Sequence, residues 1–262
     1  VPIERLAVAA SRTIILQSHN FQVLRDWIGP CVDSVRRWTE QQGYDYRFLG
    51  DEIFDLLPDD LRLKLQDHLP IQADLARLVL LRDALSNGYD RAVWFDADLL
   101  VFAPDLLEID SIPETNAFGR ELWVDTDVGK RLKTWRNIHN AACLFRKGDP
   151  VLPFLIHATE NILNEVAPDK ITPQIVGPKF LTALDNITRF GRINSVGALS
   201  PLVLHDIASG GGPALDALQG AVLKDKLPTP TAANLRASLQ SPETSGRMDR
   251  IVQLLLEKRR LF

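Results

Sequence analysis

The chain has 262 residues, enough for one large domain with a real core or two small ones. Its 45% hydrophobic and 24% charged residues are ordinary for a globular domain, and a net charge of −4 gives no basis for a nucleic-acid partner. Two cysteines, Cys31 and Cys143, are too few for a disulfide framework, and no apolar run approaches the roughly 20 residues of a membrane helix.

Taken in chain order, Thr13 to Leu16 is a short apolar run closed by the polar patch Gln17, Ser18, His19 and Asn20. It predicts the first core strand of an α/β sheet. Leu24, Trp27, Ile28, Cys31, Val35 and Trp38 carry helical spacing, predicting a helix over about 24–42 with Gly43 as its stop. Tyr44 to Leu49 alternates like a second strand, and an acidic, helix-rich stretch follows to Leu69. Gln72 to Leu85 predicts a further helix closed by Asn87-Gly88, and Arg91 to Phe95 the next strand. This alternation argues for a mostly parallel sheet covered on both faces, with ligands beyond the carboxyl ends of its strands.

Past Pro104 the pattern loosens. Residues 117–119 and 140–145 predict strands, and the segment between them, with Trp123 and Trp135, is read as polar and irregular. Residues 151–165 and 178–186 predict helices. Gly210 to Pro213 predicts a flexible loop, Pro228 to Pro230 a break, and Met248 to Phe262 an amphipathic basic helix. Met248 is the only methionine and the chain starts at Val1, so the expectation is that the natural start lies upstream.

The chemistry concentrates in Asp96-Ala97-Asp98, bracketed by Val93 to Phe95 and Leu99 to Phe102. Read as strand, the alternation turns Asp96 and Asp98 the same way and Ala97 the other. Two carboxylates at the end of a core strand repel each other and resist desolvation, and a divalent cation removes both penalties. A solvated turn would not be flanked by apolar runs.

Four segments together resemble the retaining glycosyltransferases of the GT-A fold that carry a DXD sugar-binding region, a family that includes mannosyltransferases, capsular polysaccharide transferases and clostridial glucosylating toxins. They are Thr13 to His19, Ala73 to Leu78 with Asp74 and Arg77 three apart, Phe95 to Asp98, and Val176-Gly177-Pro178 followed by Leu181 and Thr182. The resemblance spans roughly the first two-thirds of the chain. It implies one α/β domain over residues 1–262, built on a Rossmann-type mixed sheet, mostly parallel and flanked by helices. The nucleotide-sugar half would be about 1–110 and the acceptor half about 111–262.

The implied activity is metal-dependent transfer of a sugar from a UDP- or GDP-sugar to the hydroxyl of a glycan, lipid-linked or protein acceptor, with retention of configuration. By the resemblance Asp98 binds Mn²⁺ or Mg²⁺ directly, and Asp96 contacts the metal through water or the ribose. Asp74 and Arg77 reach sugar hydroxyls from one helix face. Gln17, Ser18 and His19 lie at the nucleotide, and Gly177-Pro178 forms the turn before a helix. His19 departs from the family, which commonly has an aromatic there to stack on the base. His205 is the candidate third metal ligand, with Asp206 as substitute or support. Asn140 would face the transferred sugar, Lys179 would share the leaving-group charge, and Glu121, Trp123 and Trp135 are candidates for acceptor contacts.

The terminal helix, with Arg247, Arg250, Lys258, Arg259 and Arg260, is read as a capping helix, with peripheral contact to an anionic membrane as the second expectation. The compartment expected is the cytoplasm, or the Golgi lumen for a eukaryotic chain with a removed anchor. The alternative functions are a phosphohydrolase of the haloacid-dehalogenase type, which also places D-x-D after an apolar strand, and a non-catalytic module that binds a nucleotide sugar or glycan. Against the former, Leu100 stands where that family has Thr or Val, and the motif lies mid-chain.

Overall fold

The computed structural model describes residues 11–20, 26–172, 175–236 and 245–262. Leu24, at the head of the first expected helix, lies outside them. The first elements are β1 (Thr13–Ser18), α1 (Ile28–Gln42), β2 (Asp45–Leu49), α2 (Asp59–Lys64), α3 (Leu69–Ser86), β3 (Arg91–Phe95) and β4 (Leu99–Val101). There follow β5 (Asn116–Thr126), β6 (Leu132–Arg146), α4 (Val151–Glu165), α5 (Pro178–Thr188), β7 (Gly191–Ile193) and β8 (Val196–Ala198). The chain closes with α6 (Pro201–Ser209), α7 (Pro213–Lys224), β9 (Ala232–Asn234) and α8 (Ser245–Lys258).

The main sheet is mixed and mostly parallel, in the order β2-β1-β3-β6-β5-β7. β1 pairs in parallel with β2 and β3, and β7 with β5, while β6 runs against both its neighbours. A second, three-stranded sheet has the order β4-β9-β8. Helices cover both faces of the main sheet, which is why β1 and β3 read as unbroken apolar runs. Ile14, Leu16, Ala92 and Trp94 face a cluster built from α3, α4 and α5. Ile15, Val93 and Phe95 face Val35 and Trp38 of α1 and the small sheet. α3 starts three residues earlier than its periodicity predicts, and it is buried nearly all round, as a central helix must be. Gly43 ends α1 in the left-handed conformation at φ 69°.

Three expectations are corrected. Asp96-Ala97-Asp98 is not strand but a tight turn between β3 and β4, closed by Leu99 N–H donating to Asp96 C=O at 3.0 Å. The segment 119–139 is not irregular. It is the outer arm of the β5–β6 hairpin, paired from Gly119↔His139 to Thr126↔Leu132. Gly210 to Gly212 is a compact junction in which the chain wraps the Asp206 carboxylate. Asp206 accepts from the N–H groups of Ala214 and Leu215 at 2.7 and 3.1 Å, and a Cβ on Gly212 would lie 2.5 Å from its carboxylate. Asp206 therefore satisfies the start of α7, which has no side-chain cap of its own.

α8 lays Met248, Ile251, Val252 and Leu255 into a cluster with α1, α6 and α7. It is thus a capping helix of the domain, and no helix among the described residues is long and apolar enough to cross a membrane.

Candidate functional site

Because β1, β2 and β3 are parallel, their carboxyl ends share one edge, and the Asp96–Asp98 turn stands on it. β6 reaches the same edge through an irregularity. Between Phe118 and Gly119 the β6 partner jumps from Cys143 to His139. The released residues serve β3 and α3 instead. Ala142 pairs with Phe95, Ala141 C=O accepts from Asp96 N–H at 2.8 Å, and Asn140 turns toward α3.

Four of the expected residues meet in one network. Arg77 forms an ion pair with Asp74 at 3.0 Å and donates to Asp96 Oδ1 at 3.1 Å and to Asn140 C=O at 2.9 Å. Asn140 Nδ2 donates to Asp74 at 2.8 Å, and Trp94 Nε1 to Asp96 Oδ1 at 2.6 Å. The guanidinium also lies over the Trp94 ring, 5.3 Å from its centroid. Arg77 and Asp74 expose only 8% and 10% of their side chains, against 26% for Asp96. Asp96 is thus the network's opening toward solvent.

Burial raises the Asp74 carboxyl above its usual range, against the pull of Arg77 and Asn140. Burial opposes the charge of Arg77 too, but Asp96 and Asp74 outweigh it, and the guanidinium is held above its ordinary value. Behind the network lies a cavity of about 10 Å³, room for about one water, lined among others by Cys143, Phe180 and Leu181. Burial pushes the Cys143 thiol up to about 12, so it is an inert core group.

The other expected residues fall as follows. Gln17 is fully buried; its Nε2 donates to Asp96 C=O at 3.1 Å and its Oε1 accepts from Tyr46 at 2.8 Å, so it braces the turn. Ser18 donates to Gly50 C=O at 3.2 Å, and His19 N–H to Leu49 C=O at 3.1 Å. Gly177 and Pro178 open α5, which sends Phe180 and Leu181 to the cavity behind Arg77.

His205 is not brought to the turn. It sits on α6 with its side chain 59% exposed and Nδ1 3.5 Å from Asp206. The physical reason is helical phase, since Val203, Leu204 and Ile207 take the buried side of that helix.

Asp98 is held by residues that were not anticipated. Asn234 Nδ2 donates to Asp98 Oδ1, and Asp98 C=O accepts from Leu235 N–H at 2.9 Å. Asn234 Oδ1 accepts from Arg236 N–H at 2.9 Å, and the Arg236 guanidinium pairs with buried Glu121 and lies 5.0 Å above the Trp123 ring. Glu121 also accepts from Asn137 at 3.0 Å. A short chain of contacts therefore leads from Asp98 to the hairpin arm.

Asp74, Asp96 and Asp98 set three carboxylates against the single guanidinium of Arg77, which feels all three. Among the described residues no group of three or more His, Cys, Asp and Glu side chains converges as a metal cage. The donors suit a hard cation of the Mg²⁺ or Mn²⁺ kind, which takes one or two carboxylates and completes its shell with water and substrate phosphates. They do not suit an ion held by protein ligands alone.

No protein-family model matches the chain, and no curated protein sequence does. Solved structures with a similar course include a glycosyltransferase involved in the glycosylation of the major capsid of PBCV-1, at 13% identity and TM-score 0.42, covering 92% of this chain and 98% of that one. The PaToxG glycosyltransferase is similar at 12% identity and TM-score 0.39, over 95% and 87% of the two chains. Galactosyltransferase LgtC in complex with donor and acceptor sugar analogs is similar at 13% identity and TM-score 0.43, over 93% and 95%.

Proposed function

We propose that the chain transfers a sugar from a nucleotide-diphosphate donor to an acceptor hydroxyl, with retention of configuration, at the edge where the Asp96–Asp98 turn stands. One observation carries this reading. The Asp96 carboxylate is fixed by Arg77 and Trp94, and its backbone carbonyl by the Gln17 amide, yet the acid stays partly open beside Asp98. Such bracing of a half-exposed acid costs side-chain entropy and desolvation that packing alone does not require.

In this reading Asp98 and Asp96 would hold Mn²⁺ or Mg²⁺, which when bound supplies Lewis-acid neutralisation of a leaving diphosphate. Asp74, Arg77 and Asn140 form the polar wall that meets the sugar hydroxyls. Their mutual hydrogen bonds fix that wall before a donor arrives, so little reorganisation opposes the reaction. Ser18 and His19 sit at the carboxyl end of β1, bonded to Gly50 and Leu49 at the end of β2, where a nucleotide would lie in a parallel sheet. Asn234 holds Asp98 from β9 and so positions it. No protein nucleophile is assigned.

The test is release of nucleoside diphosphate from UDP- and GDP-sugars by the purified chain with Mn²⁺. Turnover of a donor is the expected result. Release of inorganic phosphate from simple esters would instead favour the phosphohydrolase, and donor binding without turnover a binding module.

A further inference from the structure

Trp123 and Trp135 stand apart from the other three tryptophans. Trp27, Trp38 and Trp94 are buried to 0–3% exposure, whereas Trp123 and Trp135 are half-exposed and directly opposite each other across the arm. Glu121 and Asn137 occupy the neighbouring position on the same face, and Gly119 and His139 the one beyond. β7 pairs only with residues 117–119 of β5, so past that point the arm is a two-stranded ribbon. A ribbon of this kind gains a little from an aromatic cross-strand pair, and that gain does not need the polar groups gathered beside it.

Those polar groups are unusual. Glu121 is buried and held by both Asn137 and Arg236. Arg236 adopts a left-handed backbone, φ 58°, uncommon for a non-glycine residue. Its Nε is buried with no hydrogen-bond partner among the described residues, and so is Nδ1 of fully buried His139. A buried polar nitrogen without a partner, the Arg236 Nε–H donor or the His139 Nδ1 left as acceptor when Nε2 faces the Val196 carbonyl, is costly and calls for a ligand or water. Both indole faces already attract cations, Arg236 over Trp123 and Lys133 over Trp135 at 5.2 Å. Arg236 is anchored by Glu121. Lys133 is exposed, and an exposed cation–π contact is weak and readily displaced.

We infer that this face of the arm is a carbohydrate platform, with the Trp135 ring as stacking surface and Asn137, Glu121 and Arg236 as hydroxyl partners. Continuity with the turn through Arg236, Asn234 and Asp98 makes it the seat of a saccharide acceptor. The inference rests on the sugar-transfer reading and assigns that reaction's acceptor class.

The probe is a panel of methyl hexopyranosides with lactose and maltose, added to the full chain to about 50 mM, where a Kd of order 10 mM still registers. Binding is followed by saccharide-detected saturation-transfer NMR and transfer by nucleoside-diphosphate release. The expected result is that at least one saccharide binds and accelerates release. Trp135→Thr, which keeps a good strand former, should weaken that binding about three- to tenfold, while Trp135→Phe retains most of it. Asn137→Ala, beside it on the same face, should weaken the same saccharide if Trp135→Thr does not fold. The inference is overturned if no saccharide binds, or if it binds equally to these folded variants. Trp135-dependent binding without donor turnover would leave the platform standing and remove the transfer reading. Donor turnover indifferent to every saccharide would do the reverse.

Discussion

The site has an inner and an outer half, and they are built differently. In the inner half, Arg77 reaches Asp74 three residues away on its own helix and Asp96 nineteen residues on. In the outer half, Asn234 meets Asp98 across 136 residues and Arg236 meets Glu121 across 115. The inner half is buried and sandwiched between α3 and β6, so its charges compensate each other tightly. The outer half stands on a two-stranded ribbon and a three-residue strand. The difference teaches where each half stores its stability. The inner network is part of the core, and the outer one joins it through the β4–β9 pairing and the contacts of Asp98 with Asn234 and Leu235.

Removing the common partner of the inner half should have the largest effect on stability. Arg77→Met leaves Asp74 and Asp96 without their guanidinium, and stranding buried charge in this way costs about 3–5 kcal/mol. Urea unfolding should show that loss; a loss under about 1 kcal/mol, the size of a surface pair, would break the distinction between the halves. Gly119→Ala should come next. The added Cβ would lie 2.2 Å from the His139 ring, and overpacking a strand pair costs about 1–3 kcal/mol. The same melt measures it, and a wild-type midpoint would show that the arm is looser than described.

The third effect is absent at neutral pH and appears only on acidification. Burial, aided by the Arg236 charge, lowers His139 to about 3. The unfolded chain therefore binds this proton first as pH falls. The contribution is fully present above about 6.5 and is lost progressively toward pH 3. His139→Gln should flatten the stability profile in that window, and an unchanged slope would show that the ring does not titrate between the two states.

The inner half was legible because its signals are local. The unbroken apolar run of β3 marks a strand buried on both faces, and the three-residue spacing of Asp74 and Arg77 puts them together on any helix. Strand alternation does not extend from Asp96 to Asp98, which lie in the turn beyond β3. It holds between Trp94 and Asp96, which do share a face, because the strand ends at Phe95. The outer half left few marks. In the arm the buried apolar residues are Leu122, Val124 and Ile138, too few to show a clear period, and Ala232 to Asn234 is too short to show one. The position of His205 depended on the phase of α6, which the neighbouring Val203, Leu204 and Ile207 could have indicated.

The central claim is that the Asp96–Asp98 turn binds a donor diphosphate together with a divalent ion. Titration calorimetry of a UDP- or GDP-sugar with Mn²⁺ against Asp98→Asn tests it most directly. The amide oxygen can still accept from Asn234, so the fold should hold while one negative charge is lost. The account predicts that Mn²⁺-dependent donor binding falls by more than about a hundredfold, some 2.7 kcal/mol. Equal affinity in the folded variant and the wild type would contradict it.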